Sequence, residues 1–293
     1  MILMLKLNKF EKFIWYHQRK FLFACWLVSI LSIILINLVG IDSLFSFATL
    51  LAVETIILIT ALYIILLSSR IKEFAKVYNY QLNMQVFLEG TNLLIENTSP
   101  KSKTQMLTNC YNRILTLFTM GDYDRVEYEL SCFFHTFKQD NLTITIPAYI
   151  KAAQIALLKG NSQAYNEYTI KIQTLLESLT GLKIIKNALN YDFANFILYA
   201  DAVLCNRDIN EIEYESKVFE ILNTDKHTGK VRKKEIMPIE YFSAYYKLFL
   251  FFKNKGNTQK AKLYAELIIN IANDQLIGWR EAKEYLENEN RSN

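Results

Sequence analysis

Turn-forming residues are scarce. The 293 residues include only 8 Gly and 3 Pro, too few for a many-stranded β protein and suited to long helices. Of the 4 cysteines, Cys110, Cys132 and Cys205 are scattered with no CxxC, and Cys25 lies in an apolar run, as expected in a reducing compartment. The 3 histidines, His17, His135 and His227, stand far apart without ligand-spaced neighbours, which argues against a metal centre. No GxxxxGK[ST] loop, GxGxxG after a strand, HExxH or GxSxG occurs, so no cofactor is expected and the chain reads as non-enzymatic. With 52% hydrophobic and 21% charged residues disorder is excluded. A net charge of +4 is too mild for a nucleic-acid partner.

Charge is absent in a particular place. No ionisable Lys, Arg, Asp, Glu or His stands between Phe21 and Ile41, and a second apolar run, Leu44 to Leu67, is broken only by Glu54. As helices these reach roughly 30 and 36 Å, enough to cross a hydrocarbon core about 30 Å thick. The expectation is a transmembrane hairpin joined by Gly40 to Ser43, too long in its first run and lacking a cleavage site for a signal peptide. Lys6, Lys9, Lys12, Arg19 and Lys20 precede it, Arg70, Lys72 and Lys76 follow it, and the connection carries no Lys or Arg. Positive flanks stay inside, which places both termini in the cytoplasm of a two-span protein of the cell membrane. Glu54 falls at the depth of Ser29 and Ser32, where a protonated carboxyl hydrogen-bonded to those hydroxyls, or to another copy of the chain, would lock helix packing.

Beyond the membrane the rare breakers punctuate helices. Arg70 to about Glu96 reads as one amphipathic helix with the stripe Ile71, Phe74, Tyr78, Leu82 and Val86, suited to packing on the body or pairing with a second copy. Residues 97–103 (NTSPKSK) read as a linker. Hairpins then turn at Gly121-Asp122, Lys159-Gly160-Asn161, Cys205-Asn206-Arg207-Asp208 and Lys255-Gly256-Asn257. Pro147 and Pro238 are expected to open helices, and a charged helix from Asp274 to Glu289 is expected to cap the stack. Returning stripes are Val126, Leu130, Phe133 and Phe137; Ala164, Tyr168, Ile172, Leu175 and Leu179; and Ala261, Ala265, Ile268 and Ala272. The chain thus divides into a basic cytoplasmic tail (1–20), a transmembrane hairpin (21–68), a juxtamembrane helix and linker (69–103) and a helical-repeat domain (104–293). Its compactness and lack of long linkers suit a bacterial protein.

Gly121 followed by Val126 and Leu130, and Gly256 followed by Ala261 and Ala265, resemble the tetratricopeptide (TPR) repeat, with small or apolar residues five and nine positions after a turn glycine. Ala164 comes one place early after Gly160, and the third hairpin lacks the glycine. The intervals of 39 from Gly121 to Gly160 and 96 from Gly160 to Gly256 depart from the family's 34. The resemblance covers about residues 104–272 and implies an all-α, TPR-like α-solenoid or helical bundle that presents a groove to a protein or peptide. Some family members grip a carboxylate with Lys and Asn ten and six residues before the turn glycine. Here those places hold Tyr111 and Leu115, Ile150 and Gln154, and Tyr246 and Leu250, so that clamp is unsupported and an open groove would be aromatic and apolar. The basic run Lys226 to Lys234 offers Lys226, Lys230, Arg232, Lys233 and Lys234 to anionic headgroups, if it is more than a solvated loop. The leading expectation is a membrane-anchored protein-interaction adaptor; the alternative is a peptide-sensing or immunity-type membrane protein, and a membrane enzyme is the least supported.

Overall fold

The computed structural model describes residues 44–99, 101–138, 141–180 and 183–292, together with Phe23, Leu27, Val28, Ile30 and Leu31. The described chain is all-α apart from one two-stranded ribbon. In order come α1 (Leu44–Asn79), α2 (Met84–Asn97), α3 (Lys103–Met120), α4 (Tyr123–Phe137), α5 (Leu142–Leu158), α6 (Ser162–Ser178), α7 (Lys183–Tyr199) with a π-helical turn (Ala200–Leu204), α8 (Glu211–Asn223), β1 (Thr224–Asp225), β2 (Lys230–Val231), α9 (Pro238–Asn254), α10 (Thr258–Ile271) and α11 (Ile277–Ser292). Each helix from α3 to α6 and from α9 to α11 packs on its chain neighbour, so short turns produce successive helical hairpins.

One turn chemistry makes three of these hairpins. At Gly121, Gly160 and Gly256 the glycine N–H donates to the carbonyl three residues back, and the following Asp or Asn N–H donates to the carbonyl five back. That satisfies the orphan carbonyls of the first helix. Asp122, Asn161 and Asn257 then accept from Arg125 N, Ala164 N and Lys260 N, capping the second helix, each cap contributing about 1 kcal/mol. In the third hairpin the π turn ends with Cys205 N donating to Ala200 O, and Asn206 takes the left-handed conformation at φ 47°, which asparagine tolerates without glycine.

The stripes of the returning helices form the core. Val126, Leu130, Phe133 and Phe137 are buried with Leu107, Ile114 and Leu117; Ile172, Leu175 and Leu176 with Ile146 and Leu189; Ala261, Ala265 and Ile268 with Phe249 and Phe252.

Several expectations are corrected. The amphipathic helix does not run from Arg70 to Glu96: it breaks after Asn79, and α2 starts at Met84, capped by Asn83 accepting from Val86 N. Leu82 sits in the break at φ 52° and is buried beside Met84 among Tyr199, Phe242 and Leu248. Burying such side chains is worth roughly 1.5–3 kcal/mol each, enough to offset a strained residue. Pro147 lies inside α5, which starts at Leu142 with Asn141 accepting from Thr143 N; the carbonyl that proline leaves without its helical partner belongs to the exposed Thr143. The basic run forms the turn and second strand of a short β-ribbon, in which Thr224 faces Val231, and continues past it; the last helix starts at Ile277 rather than Asp274. Among the described residues no helix is long and apolar enough to cross a membrane. The expected first span, Phe21 to Ile41, falls almost wholly outside the described residues, as do the side chains of residues 44–53.

The two ends of the body meet. Arg280 Nη2 donates to Met120 O at 2.6 Å, Asn273 Nδ2 to Leu82 O at 3.0 Å, and Gln85 N to Gln275 Oε1 at 2.9 Å. Gly278 permits the close approach of α11 to α9, since a Cβ there would lie 2.7 Å from Tyr246 Cδ2 and 3.0 Å from Phe242 Cζ. Gly278→Ala should therefore force α11 outward and cost about 1–3 kcal/mol, read as a lower denaturant midpoint. An unchanged midpoint would show that the closure adds nothing to stability.

Candidate functional site

The first helices of three hairpins, α5, α7 and α9, are each 17 residues long, and their tenth positions hold Lys151, Asp192 and Lys247. The equivalent position of α3 holds Asn112. Because the hairpins stack in order, these register-equivalent side chains come to one interior face of the body. All three are partly buried.

Lys151 Nζ donates to Gln154 Oε1 at 3.1 Å and lies 4.1 Å from the centre of the Phe118 ring. Lys247 Nζ lies 5.6 Å from the centre of the Tyr199 ring, an electrostatic contact weaker than a hydrogen bond. The Lys151 ammonium is pushed down to about 7, by burial first and by the like charge of Lys247 next, with Asp192 opposing both. Burial also lowers Lys247, again opposed by Asp192. Asp192 itself accepts from Lys226 Nζ at 2.7 Å, so its negative charge is already partnered.

Aromatic side chains complete the surroundings. The Tyr111 phenol is pushed up by burial, and next by Tyr78 and Asp192; Tyr199 is pushed up by burial, and next by Tyr123. Both stay protonated and able to donate at neutral pH. Tyr78, from the last turns of α1, shares a 3.2 Å hydrogen bond with Thr119 Oγ1, which brings α1 to the same face.

Gln154 is part of this cluster through Lys151, and Tyr111 through Asp192. Leu115 is partly buried on α3. Ile150 is buried with Ile146, Ile172 and Leu189 between hairpins. The Tyr246 hydroxyl donates to Glu281 at 3.0 Å, beneath α11, and Leu250 packs on the C-terminal core. The chain itself therefore covers the places of Ile150, Tyr246 and Leu250. In the basic run Lys226 reaches Asp192 and Arg232 pairs with Glu240 at 2.7 Å, while Lys230, Lys233 and Lys234 are exposed. Glu54 is partly buried in α1; Ser29 and Ser32 lie outside the described residues. Among the described residues no group of three His, Cys, Asp or Glu could hold a metal ion.

Lys151 and Lys247 are not at the clamp positions, ten and six residues before the turn glycine, on which the sequence reading rests. Both stand nine before it, at Gly160 and Gly256. That shared offset was the available signal. No family model matches the chain, and no curated protein or solved structure matches it either.

Below about pH 7 the folded chain buries a charged Lys151. Between there and the ordinary lysine value of 10.5 the unfolded chain holds a proton that the folded chain has released, so this group makes stability rise with pH across that window. Lys151→Met should raise the thermal midpoint most below pH 7, with the advantage shrinking towards pH 10.5. A lower midpoint at every pH would mean that the contacts to Gln154 and Phe118 outweigh the cost of burying the charge.

Proposed function

We propose that this chain is a membrane-anchored, non-enzymatic adaptor whose TPR-like helical body binds a protein or peptide segment at the cytoplasmic face of the cell membrane. The observation that carries the reading is α1. It runs unbroken for 36 residues, and Leu58, Ile59, Leu62, Ile65 and Leu66 are each more than half exposed in the folded chain. Near its other end Phe74 and Val77 are buried, with Phe74 stacked on Phe87 at 4.7 Å. An apolar face of this extent calls for lipid or a partner, and the helical continuity would hold the body at a set distance from whatever covers that face. The apolar side chains of Phe23, Leu27 and Leu31, helical and exposed at intervals of four, favour lipid, as does the charge-free run around them. In this arrangement residues 21–68 form the hairpin, and both termini lie inside.

The full chain with a C-terminal tag should sediment with membranes, resist salt and alkaline washes, and enter solution only with detergent. Its tag should be shielded from reagents outside intact cells. A monodisperse aqueous species without detergent, or a tag labelled from outside, would overturn the anchored topology.

The peptide-sensing alternative is favoured by the interior polar cluster around Lys151. Affinity capture of the full chain from detergent separates the two: a stoichiometric protein partner supports the adaptor, and a short bound peptide supports the sensor. Recovery of neither from the native membrane would remove both binding readings.

A further inference from the structure

The interior cluster carries an electrostatic imbalance. Lys151 and Lys247 occupy the same register position on α5 and α9, and Asp192 occupies it on α7. Among the described residues the carboxylate that acts on both lysines is Asp192, and it is held by Lys226, which the β1–β2 ribbon brings across at 2.7 Å. Lys226 thus shares the one countercharge that acts on the pair. An ammonium has three donors. Lys151 spends one on Gln154, and Lys247 makes no hydrogen bond or ion pair with any described residue beyond its approach to the Tyr199 ring.

Two like charges in a partly desolvated interior oppose folding. A merely structural role would be met by a single lysine or an apolar pair. Both residues are partly rather than fully buried, with burial heaviest at their ammonium ends. The other groups turned to the cluster suit the same occupant: Tyr111, Tyr199 and Gln154 are neutral donors, with Tyr78 behind them on α1. Phe118 and Tyr199 supply aromatic faces under the two ammoniums.

We propose that the interior of the helical body binds an oxyanion, a carboxylate or a phosphate group, held jointly by Lys151 and Lys247 with the Asp192–Lys226 pair at its edge. This rests on the reading of that interior as the ligand-binding part of the protein, and it names the chemistry the ligand presents there. Charge-assisted hydrogen bonds from both lysines would supply the affinity, and the neutral donors would orient the group. The aromatic rings would accept an apolar body attached to it.

The test uses the full chain in detergent. Lysine acylation is followed site by site by mass spectrometry in chloride, inorganic phosphate or succinate at matched ionic strength. The exposed Lys262 of α10 is the internal reference. A bound oxyanion should slow acylation of Lys151 and Lys247 together by about tenfold at ten times its dissociation constant, leaving Lys262 unchanged. Protection by succinate alone identifies a carboxylate site, by phosphate alone a phosphate site, and by both a site that takes either. Lys247→Met, checked for an intact helical spectrum and cooperative melting, should abolish protection at Lys151. If neither anion slows the two lysines more than Lys262, or if protection at Lys151 survives Lys247→Met, the proposal falls. A captured protein partner without oxyanion protection would leave the adaptor reading standing and remove this one. Protection without a partner would do the reverse.

Discussion

The interaction on which the body depends is the insertion of the segment after α1 into the C-terminal core. Leu82 and Met84 are buried among Tyr199, Phe242, Leu248 and Phe252, side chains more than a hundred residues further along the chain. Asn83 caps the helix that follows the break at residues 80–83, but Leu82 carries a positive φ there. The conformation persists because the apolar burial exceeds the backbone cost, and because Asn273 and Gln275 bond the backbone at Leu82 and Gln85. Stacked hairpins that touched only their neighbours would leave both terminal faces open. Here α11 also reaches Met120, so the first and last hairpins shield one another.

Closure of the ends has a consequence for the interior. The first helices of the hairpins turn equivalent positions towards a common space, and the ring of contacts limits water there. Lysines that would be ordinary on an open concave surface become desolvated and lower in pKa, and tyrosines beside them rise. The basic ribbon after α8 takes part as well, since Lys226 crosses to Asp192 instead of lying wholly in solvent. The buried like charge that opposes folding here is what the proposed oxyanion would neutralise.

The exposed apolar residues of α1 and the buried aromatic contacts at its C-terminal end belong to one rigid helix. Leu58 to Leu66 and the buried Phe74 and Val77 lie on the same unbroken helix, whose Tyr78 is bonded to Thr119 beside the interior cluster.

Local chemistry was legible in the residues themselves. Gly-Asp and Gly-Asn pairs marked three turns because a left-handed residue followed by a capping side chain is specified within a few positions. The periods of Val126 to Phe137 and Ala261 to Ile268 identified buried faces, since helical geometry alone brings those positions to one side. The start of α5 was misread at Pro147 because a proline inside a helix is tolerated where the lost bond faces water, and that depends on exposure. Tertiary structure alone decided the break at Leu82, the burial of Ile150, Tyr246 and Leu250 by the chain itself, and the meeting of Lys151, Asp192 and Lys247. Each joins residues tens to more than a hundred positions apart, and their contacts depend on how hairpins stack and close, a property of the whole chain that no short stretch of residues encodes.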